Sequence, residues 1–190
     1  MRVVRAAAPD EPEDDAVLAA RARDGDAAAF RALFDRHAPS VRRFLRDLSR
    51  DEAYADEGTQ ETFVRAHARL ASLRDGERLR PWLLGIGRRV FLEELRRRRR
   101  PVAEPVEEVA PSPSPEASLI VAEESRLFRA ALAQLGADRR AVLLLQLDHG
   151  LSYDEIASVM ALSPARVRNE LHRGREELRG FLAPYFGGDS

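Results

Sequence analysis

The stretch LSYDEIASVMALSPARVRNELHR, Leu151 to Arg173, decides how this chain folds. It opens on Ser152-Tyr153-Asp154-Glu155, a serine followed three residues later by a glutamate. In that pattern each side chain satisfies a backbone N–H at a helix start. Ile156, Ala157, Val159 and Met160 then form the apolar side of a short helix. Ala161-Leu162 makes a turn, and Ser163 caps a second helix with Pro164 at its first position, where a missing N–H costs nothing. Val167 and Leu171 lie four apart and face inward, with Leu178 two turns on. Arg166, Arg168, Asn169 and Arg173 point away from that stripe. Such a pair of helices places the second in a major groove, where Arg matches guanine O6/N7 and Asn matches adenine N6/N7. A helical hairpin with a solvated basic face fits the same pattern and stays open at this point.

Working upstream, charge is unevenly distributed. Residues 16–100 carry 20 arginines and 13 acids, net +7, whereas residues 119–190 carry 9 arginines and 10 acids, net -1. The basic segment is therefore not the one with the helix pair. Its helical patterning starts near Ala16 and breaks at Asp24-Gly25-Asp26, and Asp26 caps the next helix. Phe30, Leu33 and Phe34 make one apolar stripe. Pro39 is read as the start of a further helix carrying Val41, Phe44, Leu45 and Leu48. Another runs from Asp51 to about Leu70, and a last one from near Pro81 through Trp82, Ile86 and Val90 into arginines 96–100. Trp82 shares the stripe of Ile86 and Val90, which favours a core role over base stacking.

Between the two halves lies PVAEPVEEVAPSPSPEAS, with five prolines and no aromatic, the composition of an extended tether. Beyond it a helix is expected to stop at Leu135-Gly136, and the next, DRRAVLLLQLDHG, to close at Gly150. The expected organisation is all-α. An acidic disordered tail spans 1–15, helical domains span 16–100 and 119–184, a flexible Pro/Ser-rich linker spans 101–118, and a tail spans 185–190.

Composition excludes several classes. The chain has no cysteine, so it has no disulfide framework, zinc finger or thiol nucleophile. No apolar run approaches the ~20 residues of a bilayer span, which predicts a soluble, cytoplasmic protein without membrane insertion. His37, His67, His149 and His172 lack ligand spacing, and there is neither lysine nor a Gly-rich phosphate loop. No enzyme activity, metal or cofactor is expected.

Three stretches together carry a resemblance: AARARDGDAAAFRALFDRHAPSVRRFLR (Ala19–Arg46), ADEGTQETFVRAHARL (Ala55–Leu70) running into RPWLLGIGRRVFLEELRRRRR, and LAQLGADRRAVLLLQLDHGLSYDEIASVMALSPARVRNELHRGREELR. In this order the chain resembles the extracytoplasmic-function (ECF) group of sigma-70-type initiation subunits of bacterial RNA polymerase. The resemblance implies that the first domain is sigma region 2. It would dock on the clamp helices of the polymerase largest subunit through Glu57, Gln60, Glu61 and Arg65. It would also capture the melted non-template strand of the -10 element with Arg74, Arg78, Arg80, Arg88, Arg89 and Arg96. The second domain would be region 4, sitting on the polymerase flap and reading the -35 duplex with Ser163, Pro164, Arg166, Arg168, Asn169, His172 and Arg173. An anti-sigma factor is an expected further partner, and without it or polymerase the two domains are expected to sample several arrangements.

Three sites depart from the family pattern; at one of them Ala165-Arg166 stands before Val167 in the reading helix, where Gly-Thr is usual. Gly58 stands where a leucine is usual, implying a helix weakened by ~1 kcal/mol and a loss of packing. Glu170 occupies a commonly basic position of the reading helix and would repel phosphate unless it accepted from a cytosine N4. Two other readings remain: a stand-alone duplex-binding regulator, and a sigma mimic that sequesters an anti-sigma factor without initiating.

Overall fold

The computed structural model describes residues 13–73, 78–99 and 119–186. The tether at 101–118, the first twelve residues and the last four lie outside them. Among the described residues every regular element is helical. α1 is Asp15–Arg23, α2 Ala27–Ser49, α3 Glu52–Arg69 and α4 Leu79–Arg99; a 3-10 turn, Leu70–Ser72, follows α3. α5 is Leu119–Gln134, α6 Ala137–Leu147, α7 Tyr153–Met160 and α8 Pro164–Phe186.

Local signals set several helix starts. Asp26 accepts from the N–H of Ala28 at 2.9 Å and of Ala29 at 3.1 Å, and Asp51 from that of Tyr54 at 2.9 Å. The N–H of Ala29, then Arg21, and to a lesser degree the N–H of Ala28 hold the Asp26 carboxyl below the usual carboxylate range. Gly150 closes α6 with φ +61. α5 ends at Gln134, just before Leu135-Gly136, but Gly136 is not a left-handed helix stop. Its φ is -57, and it serves as the N-cap of α6, its carbonyl accepting from Arg140 N.

Pro39 does not start a helix. It lies inside the single 23-residue α2. An interior proline costs roughly 3 kcal/mol. The stripe Ala29, Leu33, His37, Val41, Phe44, Leu45 and Leu48 nonetheless buries continuously across it, and the Pro39 ring faces solvent. Tertiary burial of that stripe outweighs the local break, since a fully buried large apolar side chain contributes about 1.5–3 kcal/mol.

α2 is the central rod. α1 packs against its first half, where Asp15 bonds Arg36 Nη1 at 2.6 Å and His37 Nε2 at 2.7 Å. Phe30 and Phe34 meet the Phe63 ring edge-on at 6.4 and 4.8 Å. α3 and α4 complete the first bundle around Phe44, Leu45, Leu83, Leu84 and Ile86. Thr59 and Thr62, both buried, return their hydroxyls to the carbonyls of Ala55 and Gly58. In the second bundle α6 supplies Val142–Leu145, packed by Ile156, Val167 and Leu171.

The two bundles touch, α7 lying on α4 and α6 on α2. The sequence reading expected several arrangements of independent domains; here one contact surface joins them. His149, at the α6–α7 turn, is its buried centre. Its ring meets Phe44 edge-on at 5.6 Å, and its Nδ1 lies 3.2 Å from Ser40 Oγ and 3.4 Å from Arg80 Nη2.

Gly58 is not a packing defect. It is buried, and a Cβ there would lie 3.1 Å from Leu45 Cδ1 and 3.3 Å from Tyr54 Cζ. The Tyr54 ring fills the space a leucine would take. Gly58→Leu therefore overpacks the α2–α3 contact and lowers stability by about 1–3 kcal/mol, despite its better helix propensity. Urea unfolding of the two proteins checks this; a Leu variant as stable as the parent would contradict it.

Candidate nucleic-acid interface

The α7–turn–α8 unit forms as its sequence dictates. Ser152 Oγ accepts from Glu155 N, and Glu155 Oε2 accepts from Ser152 N at 2.8 Å. Ala161 takes the left-handed conformation, φ 54, and the Leu162 N–H bonds Ala157 O at 3.0 Å. Left-handed backbone costs a non-glycine residue roughly 1–2 kcal/mol. That cost is offset by the burial of Val159, Met160, Val167 and Leu171 on either side of the turn. Ser163 Oγ accepts from Arg166 N at 3.3 Å, so α8 begins where the cap places it.

Val167, Leu171 and Leu178 face the core. Ser163, Pro164, Arg166, Arg168, Asn169, His172 and Arg173 are all exposed, mostly over the first three turns of α8. The guanidinium groups of Arg166, Arg168 and Arg173 make no ion pair among the described residues, whereas His172 Nε2 stands 3.5 Å from Glu176. A helix whose opening turns present three unpaired arginines and an asparagine has the donors for phosphate and base-edge contact.

Glu170 leaves this face. Its carboxylate takes a hydrogen bond from Arg139 Nε of α6 at 3.1 Å, and Arg139 also binds Glu177. The expected repulsion of phosphate is thus reduced by a cation from the neighbouring helix, which Glu170 shares with Glu177.

The arginines of the first bundle that the sequence marked for the melted strand divide. Arg89 and Arg96 are exposed, with Arg89 Nε donating to Gly85 O at 3.1 Å. Arg78 is exposed. Arg80 and Arg88 instead reach the second bundle, Arg80 to His149 and Arg88 Nη2 to Asp138 Oδ1 at 2.7 Å. Arg74 and Arg100 lie outside the described residues, and Trp82 is half-buried against the core.

On α3, Glu57 and Gln60 are exposed and Glu61 is half-buried. Arg65 is tied to Glu61 Oε1 at 2.6 Å and to Glu93 Oε2 of α4 at 2.7 Å, so it braces the face. Val64, 64% exposed on the same ridge, escaped the sequence reading because it stands beside the buried Phe63 without belonging to its stripe. Among the described residues no cluster of His, Asp and Glu is arranged to hold a metal, and no helix is long and apolar enough to cross a membrane.

Comparison with known proteins adds two family matches. Residues 33–101 match Sigma-70 region 2, and residues 125–178 match Sigma-70, region 4. The ECF RNA polymerase sigma factor SigE of Mycolicibacterium smegmatis is 34% identical over 184 residues, covering 93% of this chain and 70% of SigE. The RNA polymerase sigma factor CarQ of Myxococcus xanthus is 34% identical over 167 residues, covering 85% of this chain and 94% of CarQ. The sigma factor RpoE of Bartonella quintana, solved in complex with the anti-sigma factor NepR, aligns with a TM-score of 0.70 at 28% identity, covering 80% of this chain and 96% of that one. CnrH, solved in complex with the cytosolic domain of CnrY, gives 0.68 at 29% identity over 90% and 99% of the two chains.

Proposed function

Because the chain belongs to the ECF group of sigma-70-type RNA polymerase sigma factors, we propose that its two bundles divide promoter recognition by DNA state. The second reads the -35 duplex through the outer face of α8. The first binds polymerase core through α3 and holds the melted -10 strand with the arginines of α4. The observation that carries this reading is the unpaired cationic face of α8, set apart from the arginines of α4. Duplex reading needs donors on a groove-sized helix, while single-strand capture needs cations along a backbone path.

The partners that follow are the polymerase core at its clamp helices and flap, promoter DNA, and an anti-sigma protein. Work on polymerase would place the chain in the cytoplasm. An inhibitor is supported by RpoE and CnrH, each solved with a protein partner. Two of the departures have local structural reasons: Tyr54 fills the space at Gly58, and Glu170 is held by Arg139, which it shares with Glu177.

Run-off transcription from the promoter of the neighbouring gene tests the proposal. Transcript should require both core enzyme and this chain. Undetectable binding to core at micromolar protein would sink it.

At residue level, Arg168→Ala should weaken duplex binding by about 1–3 kcal/mol, roughly 5- to 150-fold. Arg88→Ala with Arg89→Ala should leave duplex affinity nearly unchanged and reduce the permanganate reactivity of thymines near the start site. If that double variant lost duplex affinity yet opened promoters normally, the division of work would be wrong.

A further inference from the structure

The contact between the bundles covers the face of α4 assigned above to the melted strand. Gly85 of α4 faces α7 closely: a Cβ placed there would lie 3.8 Å from Val159 Cα. The two helices meet there at ordinary van der Waals distance. One turn further along α4, Arg88 is 13% exposed in its side chain and paired with Asp138 at the start of α6. At the other end Arg80 is drawn to His149. Around this core, Arg43 Nη2 donates to Asp148 O at 3.2 Å, and Arg140 Nη1 donates to Leu48 O at 2.8 Å. Two of the arginines proposed to hold a DNA strand are therefore occupied by the chain's own second bundle.

We infer that the α6–α7 edge and the melted promoter strand compete for one face of α4, so that the closed chain blocks its own strand capture while leaving its duplex-reading helix free. This rests on the assignment of α4 to the strand. The chemistry of the exchange is direct. The Asp138 carboxylate, an anion with two acceptor oxygens, holds the guanidinium that a strand phosphate would otherwise bind. A phosphate must displace it, and the strand must also displace the α7 backbone beside Gly85. The reading face of α8 takes no part in the contact: Arg166, Arg168 and Asn169 are exposed in the same closed arrangement. The chain is thus poised for duplex first and strand second.

A reversible lock tests this, because the chain has no cysteine of its own. The Gly85→Cys/Val159→Cys variant should form a cystine under mild oxidation, because the closed arrangement brings a Cβ at residue 85 to 3.8 Å from Val159 Cα. The probes are a fluorescein-labelled single strand carrying the non-template sequence of the neighbouring gene's promoter around its -10 element, and the duplex of its -35 element. Oxidised protein should bind the duplex within about twofold of reduced protein and the single strand at least tenfold more weakly, with recovery on adding reductant. Equal strand binding by the two forms would overturn the inference. Failure of the cystine to form in folded protein, together with an unchanged strand affinity in Asp138→Asn, would also overturn it. Should even the reduced protein bind neither probe, the DNA-binding reading itself fails, while the oxidation yield still reports on closure. Asp138→Asn gives an independent measure that keeps the Arg88 cation. It should raise strand affinity several-fold with duplex affinity unchanged, and an unchanged or lower strand affinity would count against the competition.

Discussion

Replacing Arg140 with methionine lowers the unfolding free energy by about 3–5 kcal/mol, judged from four hydrogen bonds to a charged donor that vanish together. Arg140 Nε bonds Leu132 O at 3.0 Å, Nη2 bonds Ala133 O and Leu135 O, each at 2.9 Å, and Nη1 bonds Leu48 O at 2.8 Å. These carbonyls close the C-terminal ends of α5 and α2, where a helix has no backbone donors left to offer. One side chain from α6 thus caps two helices, one in each bundle. Burial, with Arg50 nearby, pushes the guanidinium pKa down from its usual value, yet the group stays charged at neutral pH. Methionine keeps the length and apolar stem and removes only the donors. Equilibrium unfolding in guanidinium chloride measures the loss, and a variant within 1 kcal/mol of the parent would show that the donors contribute little.

The second large effect is a pH dependence that belongs to His149. Burial, then Arg80 and Arg43, push its pKa down from 6.5 to about 4 in the closed arrangement. The closed form therefore needs the neutral ring. Its stabilisation is complete above about pH 6.5, where the exposed ring is also neutral. Between pH 6.5 and 4 the open or unfolded chain takes up a proton that the closed chain refuses, so stability falls by about 1.4 kcal/mol per pH unit. The total loss is of order 3 kcal/mol and levels off below pH 4, where the closed form protonates as well. Asp148 works in the opposite direction. Burial and Asp47 raise its carboxyl pKa against the pull of Arg43, Arg46 and Arg129, so acidification relieves part of its desolvation. The informative quantity is hence the difference between the parent and His149→Gln, which keeps a polar group near Ser40 but cannot titrate. Stability measured from pH 7.5 to 4 should fall more steeply in the parent; parallel profiles would exclude His149 as the sensor.

These two residues also mark where the sequence could be read and where it could not. The capping box at Ser152, the turn at Ala161 and the stripe through Val167 and Leu171 were legible because caps and helical periodicity act within a few residues. The outward arginines of α8 followed from that stripe by exclusion. His149 and Arg140 were opaque because their partners, Ser40 and Leu48, lie 109 and 92 residues away. No local pattern encodes such a pairing. Pro39 misled for a related reason: its local preference is real, but the stripe from Ala29 to Leu48 overrides it in the packed bundle. Gly58 read as a missing leucine because a sequence does not reveal that the Tyr54 ring already occupies the space. Arg80 and Arg88 were correctly marked as cations, while their engagement by the second bundle waited on the tertiary contact.

The span between Leu48 and Arg140 also has a meaning in time. A bacterial ribosome adds roughly 5–20 residues per second, so the carbonyl of Leu48 exists for about 5–18 s before its donor is synthesised. During that interval the first bundle emerges with α4 complete and neither Asp138 nor His149 yet made. A chain that covers its own arginines when finished is born with them bare, and a nascent molecule near its partner meets it before the cover arrives.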